Sequence, residues 1–236
     1  MKIFVLLPTY NEKPNISKLI DTILSLEFDL GIIVVDDNSP DGTADLVEEI
    51  RIKNPEVSLI KRPGKMGLGS AYIAGFGEAL SRGADYVITM DSDFSHDPAR
   101  IPEFISLAHE NHLVIGSRYI TEGKIKNWGF HRKVLSYIAN FITNKIIGIK
   151  AKDATSGYRC YQRDALIKSE FDMLKSNGYS YLIEILYKLQ QTGLKIKELP
   201  ICFEDREAGV SKISKFEILK AIWTVVRLLI HKCFIT

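Results

Sequence analysis

The stretch "DYVITMDSDFSHDP", residues 85–98, joins an apolar run to a pair of carboxylates. Residues 86–90 have the composition of a buried β-strand, and Asp91 and Asp93 follow it directly. Two neighbouring carboxylates at the end of an apolar strand repel each other and lose solvation unless a positive group joins them. The stretch therefore predicts a buried strand whose carboxyl end carries a cation site.

Strand-like and helix-like runs alternate along the first half of the chain. Five runs predict strands: 2–8, 31–37, 57–61, 85–90 and 112–117. The runs between them predict helices with one apolar face, and Asn15 and Thr43 are candidate N-caps of the first two. Continuous apolar strands separated by amphipathic helices indicate an α/β fold, with a mostly parallel sheet flanked by helices.

Polar loops follow four of these strands: "PTYNE", "DDNSPDG", "DSD" and "GSRY". Ligands of open α/β sheets bind beyond the carboxyl ends of the strands, so we expect the four loops to converge on one crevice. The D-x-D pattern alone is common and often marks only a surface turn. Its place after a buried strand favours a Mg²⁺ or Mn²⁺ site that substrate phosphates and water complete.

Charge is distributed unevenly over the 236 residues. Residues 1–117 carry 10 basic and 18 acidic side chains, whereas residues 118–236 carry 21 and 11. The acidic half can hold a cation and the basic half can face phosphates or an anionic membrane, although solvated surface charge is the alternative. We expect a cytoplasmic protein with reduced thiols, because the three cysteines are widely spaced and no signal peptide is evident.

Seven motifs carry a resemblance to a known family: "LPTYNE", "VVDDNSPDGT", "RPGKMGLGSAYIAGF", "MDSDFSHDP", "GSRY", "DATSGYRCY" and "DREAGVSK". In this order they resemble the polyprenol-phosphate (dolichyl-phosphate) mannosyltransferases, over about residues 1–215. Those enzymes are inverting, metal-dependent glycosyltransferases of the GT-A (Rossmann-like) fold. The resemblance implies transfer of mannose from GDP-mannose to a polyprenyl (dolichyl) phosphate. UDP-glucose or UDP-GlcNAc is the alternative donor.

The resemblance also implies three groups of site residues. The donor would contact Pro8, Tyr10, Glu12, Val35, Asp37, Asp91, Ser92, Asp93, Arg118, Arg206 and Lys212, the last two on a loop that closes over the diphosphate. The metal, Mg²⁺ or Mn²⁺, would be held by Asp93 and by Ser95, whose position is a glutamine in other relatives. The acceptor phosphate would be held by Arg118, Arg132 and Ser136. Catalysis would depend on Asp91, Asp93, Arg118 and Arg132.

Acceptor chemistry agrees with this interpretation. A phosphate monoester has a second pKa near ~6 and is largely dianionic at neutral pH, so it needs no general base. The residues offer two rivals from other classes. A signalling receiver domain also has "VVDDN"-like acidic pairs, but after its first strand, not its second. A non-catalytic nucleotide-sugar binding module is the other.

The sequence allows two interpretations for each of three side chains. His96 either contacts a ligand or belongs to an ordinary helix-start turn. Glu184, in an apolar helix, is either paired structurally or reaches the crevice. Lys65 either approaches an anion or is solvated.

The end of the chain predicts an appendage to the catalytic domain. We expect a catalytic domain over 1–212 and an amphipathic helix over 213–236. In that helix a narrow polar stripe runs through a wide apolar surface, and consists of Glu217, Lys220, Thr224, Arg227 and His231. No run reaches the ~20 apolar residues of a spanning helix, so the helix is expected to lie in the headgroup region with its basic residues among lipid phosphates.

A second basic amphipathic helix is predicted over about 130–147, beside the arginines assigned to the acceptor. The two helices together predict peripheral attachment to the cytosolic face of a membrane. The alternative is that they pack on the sheet or form a dimer interface. A separate membrane subunit is a candidate partner, since some short relatives rely on one, and no nucleic-acid partner is expected.

Overall fold

The computed structural model describes residues 1–178, 180–205 and 223–230, with only the backbone of Phe130 and His131. The strands are β1 (Ile3–Thr9), β2 (Leu30–Asp36), β3 (Val57–Lys61), β4 (Tyr86–Thr89), β5 (Leu113–Ser117), β6 (Lys124–Lys126), β7 (Arg159–Gln162), β8 (Ile196–Pro200) and β9 (Cys202–Glu204). The helices are α1 (Lys13–Leu24), α2 (Thr43–Lys53), α3 (Leu68–Ser81), α4 (Ile101–Ala108), α5 (Phe130–Ile142), α6 (Arg163–Ser169) and α7 (Ser180–Gln191). A 3₁₀ turn at Pro98–Arg100 precedes α4, a π-helical segment at Thr143–Ile147 continues α5, and residues 223–230 are helical.

Seven strands form one sheet in the order β3-β2-β1-β4-β7-β5-β8, and β6 and β9 form a second, two-stranded sheet. In the large sheet β7 is antiparallel to both of its neighbours, and Arg159 pairs with Thr89 and with Ile115. The other pairings are parallel. The predicted α/β fold with a mostly parallel sheet is confirmed, and β7 is the exception.

The antiparallel direction of β7 determines which loops lie at the carboxyl edge of the sheet. Because β7 runs against β4 and β5, its first residue lies at the edge of the sheet where those two strands end. The loop that leads into β7, residues 153–158, therefore arrives at the same edge as the loops that follow β1, β2, β4 and β5.

Two apolar clusters cover the two faces of the sheet. One lies beneath α1, α2 and α4 and contains Leu19, Val47 and Phe104. The other lies beneath α3 and α7 and also contains Val225 and Leu228, from the helical residues 223–230. Helices on both faces were predicted, and this part of the prediction is confirmed.

The first two helices begin differently from the prediction. Asn15 lies inside α1, whose N-cap is Glu12, and the Asn15 amide donates to the Glu12 carboxylate at 3.0 Å. Thr43 is the first residue of α2, after Gly42 with φ 84°. Its hydroxyl donates to Asp41 at 2.5 Å and accepts the backbone N–H of Glu12 at 3.0 Å. Both predicted N-caps are wrong, because Asn15 lies inside α1 and bonds its N-cap residue, whereas Thr43 connects the loops after β1 and β2.

Residues 223–230 turn part of the predicted polar stripe toward the protein. Arg227 pairs with Glu184 at 2.6 Å and donates to the Ser176 hydroxyl, which also contacts Thr224. Arg227 is therefore not placed among lipid phosphates as predicted, because Glu184 holds it. The same contact shows that Glu184 is structurally paired. The predicted boundary at 212/213 and the other members of the stripe lie outside the described residues.

Within the described part of the chain, every helix is too short or too polar to cross a membrane.

Candidate active site

Residues 91–95 form a tight loop at the end of β4. Asp93 is buried, and one of its carboxylate oxygens accepts the amide of Ser95 at 3.1 Å and its hydroxyl at 2.6 Å. Phe94 between them has φ 59°, a left-handed conformation that is unfavourable for a bulky residue and that turns Ser95 back toward Asp93. Ser95 thus orients the Asp93 carboxylate, and its role as a direct metal ligand stays a prediction.

The donor set at Asp93 fits a hard divalent cation with few protein ligands. In the described residues no group of three or more His, Cys, Asp or Glu side chains could enclose a metal ion. A cation at Asp93 can take further ligands from substrate phosphates and water. Mg²⁺ is usually bound in this way, through one or two carboxylates and phosphate oxygens.

His96 holds the backbone of Asp91, the other acidic residue of this loop. Its Nδ1 accepts the backbone N–H of Asp91 at 3.0 Å, so its proton is on Nε2. Burial lowers the pKa of His96 to about 3, and the opposing attraction of Asp93 is smaller. The imidazole is therefore neutral at physiological pH. His96 lies just before a helix start, as one of its two predicted interpretations has it. Its imidazole also holds the Asp91 backbone, which neither interpretation included.

The loops after β1 and β2 are connected by hydrogen bonds. The fully buried Asp36 accepts the Thr9 hydroxyl at 2.8 Å and both the amide and the hydroxyl of Ser39. Ser39 in turn accepts the Asn11 amide at 3.0 Å, and Asp41 accepts the Lys13 amide at 3.1 Å. The "NSPDG" turn therefore does more than reverse the chain, because it fixes the loop that carries Tyr10 and Glu12.

Asp37 is occupied by protein groups. It forms a buried ion pair with Arg62, and its second oxygen accepts the amides of Met66 and Gly67 at 3.1 Å each. Gly67 has φ 91°, and a Cβ atom there would lie 2.9 Å from the Asn177 side chain, so this position requires glycine. Asp37 thus anchors the glycine-containing loop before α3, and its predicted contact with base or ribose stays a prediction.

The remaining donor candidates in the described residues lie at the same edge of the sheet: Pro8, Tyr10, Glu12, Val35 and Ser92. Pro8 and Val35 are paired in register, and the Ser92 hydroxyl donates to the Pro8 carbonyl at 3.0 Å. The Lys65 ammonium lies 4.3 Å from the centre of the Tyr10 ring, at the surface. The carboxyl ends of β1, β2 and β4 and the loops that follow them thus bring these residues together, as the sequence predicted.

Arg118 is held by a carboxylate that the sequence did not reveal. Its Nε and Nη2 donate to the two oxygens of Asp153, each at 2.7 Å, and Nη2 also donates to Thr155. Burial alone would lower the pKa of Arg118, but Asp153 outweighs it and the pKa is raised. Burial would likewise raise the pKa of Asp153, which Arg118 instead holds below its usual value. The guanidinium is therefore charged and fixed.

Arg132 lies against the same Trp128 ring as Arg118 and is less buried. It pairs with Asp205 at 2.8 Å, and its guanidinium stacks over Trp128 at 4.0 Å. Its buried Nε has no hydrogen-bond partner among the residues that the structure describes. A donor of this kind suits an anionic ligand such as a phosphate oxygen. Arg206 and Lys212, which follow Asp205 in the chain, lie outside the described residues.

Helix α5 presents its polar residues to this site. Ser136 accepts the Tyr119 hydroxyl at 2.8 Å, and Asn140 donates to Thr155 at 3.2 Å and accepts the Ala154 amide at 2.8 Å. Thr143, one turn further on, is fully buried. Large apolar side chains lie on the opposite, exposed face of this helical segment: Val134, Leu135, Tyr137, Ile138, Phe141 and Ile146. The segment is amphipathic with its polar side inward.

The catalytic domain has the sequence features of a known enzyme family. Residues 4–169 match the domain described as glycosyl transferase family 2. The chain belongs to glycosyl transferase family 2. The prediction that it is a glycosyltransferase is confirmed.

Two curated relatives show which members of family 2 the chain is similar to. The chain is 38% identical to the polyprenol monophosphomannose synthase of Mycolicibacterium smegmatis, over 94% of this chain and 84% of the relative. It is 36% identical to the undecaprenyl-phosphate mannosyltransferase of Micrococcus luteus, over 96% and 93%. The resemblance to polyprenol-phosphate mannosyltransferases is thereby confirmed.

Solved structures confirm the GT-A fold of this family 2 domain. Glucosyl-3-phosphoglycerate synthase from Mycobacterium tuberculosis, in complex with Mn²⁺, UDP and its product, matches with a TM-score of 0.70 and 19% identity, over 97% of this chain and 80% of that one. A mannosyltransferase from Pyrobaculum calidifontis, in complex with GDP-Man and Mn²⁺, matches with a TM-score of 0.62 and 16% identity, over 95% and 64%.

Three residues of the candidate site were missed from the sequence: Asp153, Thr155 and Asn140. The first two lie in "DATSGYRCY", which carried part of the family resemblance but gave neither residue a role. Their proximity to Arg118 depends on the antiparallel direction of β7, which no local pattern encodes. Asn140 had a local signal, because it is a polar residue within the apolar run of a helix.

Proposed function

We propose that this glycosyltransferase transfers mannose from GDP-mannose to a polyprenyl (dolichyl) phosphate, which gives polyprenyl-phosphate mannose. The names of the two curated relatives support the sugar and the class of acceptor. The observation that carries the proposal is α5, with phosphate-binding candidates on its inner face and apolar side chains on its outer face. An acceptor with a charged head and a hydrocarbon tail matches both faces.

The dimensions of a helix explain why this arrangement suits a lipid phosphate. An α-helix with its side chains is about 10–12 Å thick. If the outer face of α5 rests in the headgroup region of a bilayer, Arg132 and Ser136 on its inner face lie about one helix thickness away. The phosphate of a polyprenol can then enter the site while its tail stays in the membrane.

The acceptor needs positioning more than it needs activation. A phosphate monoester dianion attacks the anomeric carbon directly, so no side chain has to remove a proton. Arg118, held rigidly by Asp153 and Thr155, supplies a fixed positive charge for it. Arg132 can exchange part of its hydrogen bonding from Asp205 to the phosphate, because this pair is partly exposed.

Asp91 and Asp93 serve the donor side. Asp93 would hold a Mg²⁺ or Mn²⁺ ion, which neutralises charge on the leaving diphosphate when it is bound. His96 holds the backbone of Asp91, and Ser95 orients the carboxylate of Asp93. Tyr10, Glu12, Val35 and Asp37 line the proposed nucleoside side.

We place the enzyme at the cytosolic face of a membrane, attached peripherally. The exposed apolar side chains of α5 are accompanied by Lys133 and Lys145, which are exposed on the same helical segment. Residues 223–230 add exposed Trp223, Val226 and Ile230. Apolar side chains with lysines among them are typical of interfacial helices. Residues 1–212 would be the catalytic domain, with 213–236 as an appendage that contributes Val225 and Leu228 to its core.

Transfer assays with defined donors test the proposed activity. The purified chain should transfer label from GDP-mannose, and not from UDP-glucose or UDP-GlcNAc, to polyprenyl phosphate in vesicles, and chelation should stop it. GDP-mannose with Mn²⁺ should also raise the unfolding free energy by about 2.7 kcal/mol at a hundredfold excess over Kd. Binding without transfer would favour a non-catalytic module, and transfer from a UDP-sugar would overturn the donor.

A substitution of Asp93 tests the proposed metal site. Asp93→Ala should lower transfer at least about a hundredfold, since it removes the protein anchor of a charge-stabilising group. Asp85→Ala is the matched control, because Asp85 bonds the Lys2 amide beside the start of β4, away from the carboxyl edge. Near wild-type turnover of Asp93→Ala in the presence of chelator would disprove the assignment.

A further inference from the structure

Aromatic rings form a continuous column through the site. The ring centres are 4.2 Å apart for Phe104 and Tyr158, 4.9 Å for Tyr158 and His96, 5.2 Å for His96 and Phe203, and 5.2 Å for Phe203 and Trp128. The last two contacts are edge-to-face, an arrangement that aromatic pairs favour over a face-to-face sandwich.

Two rings of this column serve different sides of the site. His96, the middle ring, holds the backbone of Asp91 on the donor side. Trp128, the last ring, lies under the guanidinium of Arg132, and Arg118 lies 5.4 Å from both Trp128 and Phe203. Phe203 lies between His96 and Trp128 and contacts both rings.

The neighbours of Phe203 in the chain make the same connection. The amide of Glu204 donates to the carbonyl of Ser95 at 3.4 Å, in the proposed metal loop. The carboxylate of Asp205 pairs with Arg132. Three consecutive residues, 203–205, therefore contact both the donor carboxylate loop and the acceptor arginines. The two-stranded sheet holds them there, since β9 pairs with β6 through Phe203 and Ile125.

We propose that Phe203 is a positioning residue that fixes the separation between the Asp91–Asp93 loop and the arginines Arg118 and Arg132. The proposal rests on the proposed transfer, in which donor and acceptor bind to these two groups. Reacting atoms must approach to about 3–3.5 Å, and a misplacement of about 1 Å can cost about a hundredfold in rate. A ring that contacts His96, which holds Asp91, and also contacts Arg118 and the Trp128 ring beneath Arg132 can set this distance.

Substitution of Phe203 by leucine tests this role, because leucine keeps apolar bulk but removes the ring edges. Phe203→Leu should lower kcat for transfer about tenfold or more, while the KM for the donor changes less than about twofold. Phe203→Tyr, which keeps the ring, should restore most of kcat. Phe171→Leu is the matched control, since Phe171 packs edge-on against Phe76 at 5.5 Å, away from both groups.

A fluorescence measurement reads the same contact without any sugar transfer. The chain has two tryptophans, so Trp223→Phe leaves Trp128 as the only one. In this background, adding Mn²⁺ with GDP, or with UDP, should change the emission of Trp128, and Phe203→Leu should reduce the change by more than half. This readout separates the two proposals, since the transfer can fail for the chosen donor while the coupling persists.

Three results would overturn the positioning role. The first is a kcat for Phe203→Leu within twofold of wild type, and the second is a loss of kcat that Phe171→Leu reproduces. The third is an unchanged Trp128 response in Phe203→Leu. Should Phe203→Leu fail to fold, His96→Asn replaces it in both measurements, because it removes the ring that contacts Phe203 but leaves an oxygen that can accept the Asp91 amide.

Discussion

Helices α1 and α5 are both amphipathic, but their apolar faces point in opposite directions. In α1 the apolar residues Ile16 and Leu19 are fully buried against the sheet. In α5, Tyr137 is 62% exposed and Phe141 is 53% exposed, whereas Asn140 is buried. A protein in water normally hides apolar surface, so an exposed face of this size marks a surface that meets something other than water.

The reason for the difference lies in what each helix covers. Helix α1 covers a cluster of apolar side chains, and its apolar face is stabilised there by the hydrophobic effect. Helix α5 covers Thr155, Ala154 and the Arg118–Asp153 pair, which need hydrogen-bonding partners. Its polar face must therefore turn inward, and its apolar face is left for the membrane in our proposal.

The largest effect on the unfolding free energy is expected for the Arg118–Asp153 ion pair, which α5 covers. Arg118→Met leaves Asp153 buried and unpaired, and should reduce the unfolding free energy by about 3–5 kcal/mol. Adding Asp153→Leu removes the unpaired charge and should recover much of that loss, measured by urea unfolding. Neither variant should transfer sugar. If the double variant stayed as unstable as the single one, the ion pair would not be the reason for the loss.

The next prediction compares how apolar side chains of α1 and α5 contribute to the unfolding free energy. Leu19→Ala in α1 should lower the unfolding free energy by about 2–5 kcal/mol, because it opens a cavity in the core. Phe141→Ala in α5 should change it by less than about 0.5 kcal/mol, although more atoms are removed. Urea unfolding in the absence of lipid measures both. A loss for Phe141→Ala as large as that for Leu19→Ala would contradict the exposed position of the ring.

Acid should destabilise the protein through His96. Its pKa is about 3 in the folded state, below the ordinary 6.5, so below pH 6.5 the unfolded chain takes up a proton that the folded chain does not. Stability should fall by about 2 kcal/mol from this group between pH 7 and pH 5. His96→Asn should lack this contribution, and His109→Asn, at an exposed histidine, should keep it. Equal pH slopes for wild type and His96→Asn would refute the assignment.

The donor side could be predicted because its signals are local. Each strand of the first half is a continuous apolar run, and the polar loop after it lies at the carboxyl edge by the geometry of parallel sheets. Thus Asp93, Tyr10 and Ser92 were expected to converge, and they do. The partners of Asp37 were harder to predict. Asp37 lies in the loop after β2, whereas Arg62 and Gly67 lie in the loop after β3.

The acceptor side could be predicted only in part. Arg118, Arg132 and Ser136 came from resemblance, and their partners Asp153 and Asp205 lie 35 and 73 residues further along the chain. Pairings over such separations depend on topology, here on the reversed strand β7 for Asp153 and on the β6-β9 sheet for Asp205. The amphipathic pattern of α5 was visible in the sequence, but its direction was not, because hydrophobic periodicity does not say which face meets the core.

The most direct test of the central claim compares two acceptors, one in a bilayer and one in solution. The variant Ile138→Ser/Phe141→Ser changes only the outer face of α5, and Ile52→Ser/Ile167→Ser, at two exposed positions outside α5, is the control. With polyprenyl phosphate in phosphatidylglycerol vesicles, the α5 variant should transfer mannose about tenfold more slowly, because it loses about 1.4 kcal/mol or more of membrane binding. With a short, water-soluble prenyl phosphate it should match wild type and the control. Equal rates with the bilayer acceptor, or an equal loss with both acceptors, would contradict the account.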